Sequence, residues 1–112
     1  MATKSYTDIP QSETLSKILS PESADMYWDY DVQKHEHYPM VMDDQFDDSC
    51  VRAWSLAALL SVLPEIQGGK PMIALDDNYI TYPHINDLHT KADNLIDACV
   101  EMIIKLHEQN LL

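Results

Sequence analysis

The run His35-Glu36-His37 carries the most pointed chemistry in this 112-residue chain. In an extended strand, residues two apart face the same way. Both imidazoles would then meet a single Zn²⁺ or Ni²⁺, with His84, His89 or a loop aspartate completing the shell. Ordinary structural sites add a second, equally tight ligand pair, and none stands out here; the competing reading leaves both rings solvated in an acidic loop. Nearby, Asp43-Asp44-Gln45-Phe46-Asp47-Asp48 gathers four carboxylates. It does not make an EF-hand, because the alternating acids, the central glycine and the closing glutamate are missing. Acids this dense cannot be buried without partners, so the segment reads as a solvated loop.

Nucleophilic chemistry is poorly served. A reactive thiol needs a positive neighbour. Cys50 instead follows Asp47 and Asp48, although Arg52 is near, and Cys99 falls on an apolar stripe where a thiol acts as a small hydrophobe. Neither cysteine belongs to a CxxC pair, and two are too few for a disulfide framework. Ser55 opens a helix and has no GxSxG around it. Gly68 and Gly69 are the two glycines of the chain, so no glycine-rich loop exists to cradle a phosphate. These residues lean against catalysis, ask for no cofactor, and leave His35 and His37 as the metal candidates.

The elements that must position such groups are anchored at the end of the chain. Between Thr90 and Leu112, the residues Ala92, Leu95, Ile96, Cys99, Met102, Ile103 and Leu106 recur at three-and-four spacing, which collects them on one face of an α-helix. Thr90 is the expected N-cap, and a helix of about 20 residues would span roughly 30 Å, a slab for everything else to pack on. Ser55 caps a second stripe, Leu56, Leu59, Leu60 and Leu63, which Pro64 closes; Trp54 sits just outside as a hydrophobic staple. Residues 1 to 11 read as a loose leader. Ser12 caps a short helix through Leu19, and Ser20-Pro21-Glu22 starts another that reaches Met26 to Trp28. Residues 70–75 and 79–82 form a hairpin turning through Asp76-Asp77-Asn78, and residues 37 to 42 supply an edge strand containing Pro39. The expectation is an α+β fold in one domain over residues 12 to 112, a small antiparallel sheet packed against the long C-terminal helix and shorter helices.

Nineteen acids against seven Lys and Arg give a formal net charge of −12. With no basic patch to displace counterions, direct nucleic-acid binding is disfavoured, and so are anionic membrane surfaces. The opening MATKSYTDIPQSE is polar and no apolar run is long enough for a span, which points to a cytoplasmic protein. Tyr27, Trp28 and Tyr30, interleaved with Asp29 and Asp31, suit an aromatic contact surface for a protein partner or a second copy, although core and edge-strand filling is their commoner use. Asp43, Asp44, Asp47 and Asp48 suit a solubilising face or an imitation of a phosphate run.

The stretches SPESADMYW (20–28), AWSLAALLSVLP (53–64) and DNLIDACVEMIIKLHEQNLL (93–112) together resemble small uncharacterised proteins from prophage-like and other mobile regions of gut Bacteroidetes. The resemblance spans most of the chain from residue 12 onward. It carries no catalytic or ligand residues and implies a bacterial, phage-associated protein. The expected function is therefore a non-enzymatic interaction module with an unknown protein partner or self-association. The alternatives are a metal-dependent binder or enzyme on His35 and His37, and an acidic mimic that inhibits a host DNA-binding protein.

Overall fold

Asp8 starts the first helix. Its carboxylate accepts from the Gln11 N–H at 2.8 Å while Gln11 Oε1 accepts from the Asp8 N–H at 3.1 Å, a reciprocal box that satisfies two end donors. In this computed structural model, which describes residues 4 to 112, α1 runs Ile9–Ser16 with Pro10 in its first turn, where a missing N–H costs nothing. Ser12, expected as the cap, is instead buried inside α1. The loose leader is corrected too, over residues 4 to 11; for residues 1 to 3 that reading lies outside the described residues.

Thr7 ties this segment to the core. Its N–H donates to Trp54 O at 3.0 Å, its Oγ1 accepts from the Trp54 N–H at 3.1 Å and meets Ser12 Oγ at 2.8 Å, and its carbonyl accepts from Trp28 Nε1 at 3.0 Å. All of this is fully enclosed at Thr7, so each bond replaces water that is no longer present.

The helix expected to reach Trp28 is absent. Ser20-Pro21-Glu22 yields a single 3₁₀ turn, Pro21–Ser23, after which the chain extends as β1, Met26–Asp31. Aromatic side chains alternating with acids fit a pleated surface better than a helix, and that preference wins once strands are available on both sides. The expected edge strand is present as β2, Glu36–Val41, and β3, Val51–Ala53, pairs along the other side of β1, giving the order β2-β1-β3. Met42 N–H donates to Asp25 O at 3.0 Å, which sets the phase of the β1–β2 ladder. Pro39 then falls where its nitrogen points away from β1, so no ladder bond is lost and an outward donor is removed from the edge.

Ser55 caps α2, Leu56–Val62, by accepting from the Ala58 N–H at 3.2 Å, as its sequence foretold. Asp25 braces the cap, accepting from both the Ser55 N–H and its hydroxyl. The expected hairpin follows as β4, Met72–Ala74, and β5, Tyr79–Thr81, joined through a 3₁₀ turn, Leu75–Asp77, and a left-handed Asn78. A third strand that the sequence reading lacked, β6, His89–Lys91, completes a second antiparallel sheet of order β4-β5-β6.

That strand also corrects the N-cap of the last helix. Thr90 pairs with Ile80 in the sheet, so its backbone is already committed, and α3 begins later, Leu95–Glu108, with Asn94 accepting from the Asp97 N–H at 2.9 Å. The Thr90 hydroxyl instead donates to Ala98 O at 2.8 Å and pins β6 to α3. The stripe reads as expected over those 14 residues: Leu95, Ile96, Cys99, Met102, Ile103 and Leu106 are all buried, each large one contributing roughly 1.5–3 kcal/mol. β5 and β6 cover it from one side, α2 and α1 from others. The described residues thus form an α+β fold of three α-helices and two three-stranded antiparallel sheets.

Lys4 joins the N-terminal segment to the start of α3, 3.0 Å from Asp8 and 2.8 Å from Asp97. Gln11 Nε2 and Asn94 Nδ2 donate to the same Asp97 carboxylate. Burial works against charge on both ion-pair members. The hydrogen bonds win, holding the Asp97 carboxyl below its ordinary 3.8 and the Lys4 amine above its ordinary 10.5. A depressed carboxyl stabilises the fold above its unfolded value and loses that contribution as pH falls through the folded one. A raised amine stabilises below its unfolded value and loses it as pH climbs through the folded one. Urea titrations of the wild type and Lys4→Met should therefore differ by on the order of 1 kcal/mol on the plateau between those two ordinary values and converge at either extreme.

Candidate interaction surface

The register of the first sheet divides its side chains between two faces. Trp28 lies between Pro39 and Val51, Met26 between Val41 and Ala53, and Tyr30 opposite His37. On the reverse face Tyr27 lies between Met40 and Arg52, and Asp29 opposite Tyr38.

The acidic loop covers the reverse face. Phe46 meets the Tyr27 ring edge-on at 5.4 Å, and the Arg52 guanidinium sits 4.6 Å over the Phe46 ring. Tyr27 is fully buried, and its hydroxyl donates to Asp43 at 2.6 Å; that bond, with burial behind it, pushes the phenol well up. Asp43 also accepts from the Gln45 N–H, while Asp47 accepts from the Ser49 N–H and hydroxyl, which holds the Asp47 carboxyl low. So two of the four loop carboxylates fold the loop on itself through these bonds, although all four residues stay exposed. The loop is a lid with a charged outside, not a free run of acids.

The other face is largely uncovered. Val41 is 71% exposed and Tyr30 43%, and Met26, Trp28, Pro39 and Val51 are half-buried. Tyr6 flanks Trp28 edge-on at 5.6 Å. β3 begins at Val51, opposite Trp28, so farther along β1 no strand pairs on that side. The space beside it is a recess of about 330 Å³ whose walls are Trp28, Tyr30, Val32 and Val51, with Asp29, His37 and Ser49 as its polar members. A second recess of about 290 Å³ on the opposite flank of Trp28 is bounded by Lys4, Tyr6 and Asp8.

His35 and His37 do not act as a strand pair. His35 stands in the turn with φ +55°, outside β2, which breaks the two-residue alternation on which the metal reading depended. Both rings meet Tyr30 instead: Tyr30 Oη is 3.4 Å from His35 Nδ1, and the His37 ring centroid is 4.9 Å from that of Tyr30. His84 is engaged with Ile66 O at 2.6 Å, and His89 lies in the second sheet against Tyr79. Among the described residues, no group of three His, Cys, Asp or Glu side chains gathers to hold a metal. Cys50 has carboxylates as its contacts, Asp29 and Asp47 at 3.8 Å, and Cys99 is enclosed, its thiol pushed up to about 12 by burial. Among the described residues, no basic side chain bonds to either thiol.

Of the aromatic residues singled out from sequence, Tyr27 proves internal, Trp28 forms the floor of the open face and Tyr30 its rim. Val32, Val41 and Val51 were not singled out; Val41 and Val51 share the Trp28 face by strand register, whereas Val32 lies in the turn after β1. Among the described residues, no helix is long and apolar enough to cross a membrane. The site is an open apolar sheet face with acids at its margin. Comparison with known proteins gave no matching family, no matching curated protein and no matching solved structure.

Proposed function

We propose that the chain is a non-enzymatic protein-protein interaction module that uses the open face of its first sheet. The observation that carries this reading is the apolar row Val41, Pro39, Trp28, Val51 and Tyr30 on one face, exposed at Val41 and Tyr30 and half-buried between them, while the acidic lid covers Tyr27 on the other. Aromatic side chains in such rows bury large area at little entropic cost and anchor interfaces. The resemblance to small proteins of mobile elements supports a bacterial, phage-associated setting for the module, in the cytoplasm. Nucleic-acid mimicry is the weaker reading, because Asp43 and Asp47, though exposed, have oxygens engaged by Tyr27, Gln45 and Ser49.

Val41→Glu tests the face directly, since the position is open enough for the fold to ignore the change. A tagged wild-type chain should retain a defined partner from bacterial lysate, or self-associate in light scattering, and Val41→Glu should lose that retention about tenfold. Retention that survives Val41→Glu unchanged, or a strict monomer that retains nothing, overturns the module.

A further inference from the structure

Where β3 stops, the recess beside β1 combines three kinds of surface. Trp28 and Tyr30 offer aromatic faces, Val32 and Val51 offer aliphatic walls, and Asp29 offers a carboxylate. That carboxylate is held in place: Oδ1 accepts from the Tyr30 N–H at 2.8 Å and Oδ2 from the Tyr38 hydroxyl at 3.2 Å. Oδ1 also meets the Cys50 thiol at 3.8 Å, and an ionised carboxylate has room for about four donors, so Oδ2 retains capacity. An aliphatic stem ending in a cation matches this combination: the stem lies on the valines, the charge meets the rings and Asp29.

Among the described residues, no Lys or Arg lines the recess. Arg52 is occupied over Phe46 on the reverse face, and the two recorded ion pairs both belong to Lys4. Residues 25 to 48 hold eight acids and one base, −7, so the field around the recess draws positive charge. The same field repels nucleic acid and anionic membranes, and with −12 on each chain it repels a second copy as well. We infer that the recess beside Trp28 receives a Lys or Arg side chain from an extended basic segment of a protein partner. This rests on the interaction-module reading and adds the partner's chemistry to it.

The experiment uses a fluorescent short peptide of alternating Arg and Val and its counterpart with citrulline, a neutral isostere, for Arg. Anisotropy at low salt should show the Arg peptide binding about tenfold more tightly than the citrulline peptide, a gap that closes as salt rises. Asp29→Asn and Tyr30→Leu should each weaken it about five- to tenfold, with circular dichroism confirming the fold, whereas Tyr30→Phe, which keeps the ring, should hold it within about twofold. Asp44→Asn with Asp48→Asn, exposed acids on the lid, should also change it by less than about twofold. If the lid variant weakens binding as much as Asp29→Asn, the attraction is diffuse and the recess is not the site. Equal binding of the citrulline peptide removes the cation but leaves the module standing. No binding of either peptide at millimolar concentration overturns the inference, while the module itself falls if Val41→Glu leaves partner capture intact or if the chain is a strict monomer that retains nothing.

Discussion

Trp54→Ala should cost about 3–5 kcal/mol of stability, the largest loss expected from any single truncation in this chain. Trp54 is fully enclosed at the junction of β3 and α2, with its Nε1 donating to Ser23 Oγ at 2.9 Å and its backbone bonded both ways to Thr7. Removing the indole forfeits its transfer free energy and leaves a void that β3, paired to β1, and α2, capped by Ser55, cannot collapse to fill. Domains of this size have a total stability of about 5–15 kcal/mol, so the variant should melt roughly 12–20 °C lower. Trp54→Phe keeps much of the volume and loses the Ser23 bond; it should cost about 1–2 kcal/mol. Urea unfolding followed by circular dichroism checks both, and a loss below 1 kcal/mol for Trp54→Ala would show that the junction is looser than its burial implies.

The elements legible from sequence were those whose signals are local. The stripe from Leu95 to Leu106, the Ser55 cap with Leu56 and Leu59 behind it, and the hairpin through Asp76-Asp77-Asn78 all follow from spacing and turn chemistry within a few residues. Thr90 shows where such reasoning ends. Its type suits a cap, but its backbone is claimed by pairing with Ile80, ten residues earlier in the chain. β1 shows the same limit from the other side: Ser20-Pro21-Glu22 is a sound start signal that produces one turn, because the aromatic residues after it find strands on both sides. Asp8 and Gln11 carry a capping-box signal that outweighs Ser12, although Ser12 stands nearer the apolar residues.

For the candidate surface, residue type pointed to Trp28 and Tyr30 but could not separate them from Tyr27. That separation comes from the lid: Phe46 lands on the Tyr27 side, an outcome of how residues 42 to 50 fold back. The recess is still less local, since it exists because β3 ends at Val51 and leaves part of β1 without a neighbour. His35 and His37 share parity in sequence, and only the left-handed turn at His35 breaks it.

Thr7→Val should destabilise the fold by about 2–3 kcal/mol, although the residue is nearly isosteric and lies in a stretch whose sequence reads as polar leader. The loss comes from what the hydroxyl leaves behind. Trp54 N–H, now 3.1 Å from Thr7 Oγ1, would face a methyl group with no water within reach, and Ser12 Oγ would keep just its 3.5 Å contact to Thr7 O. An orphaned buried donor costs about 1–3 kcal/mol, far more than the net gain from making the bond. Thr7→Ser restores both contacts and gives up one methyl, so it should recover all but about 1 kcal/mol. Coupling gives the sharper readout. Once Val occupies position 7, adding Ser12→Ala removes a polar group that has already lost its partner, so it should cost less than Ser12→Ala does in the wild type. Additive losses in that cycle, or a neutral Thr7→Val, would mean that the N-terminal segment is merely draped over Trp54. Non-additive losses mean that it is part of the core.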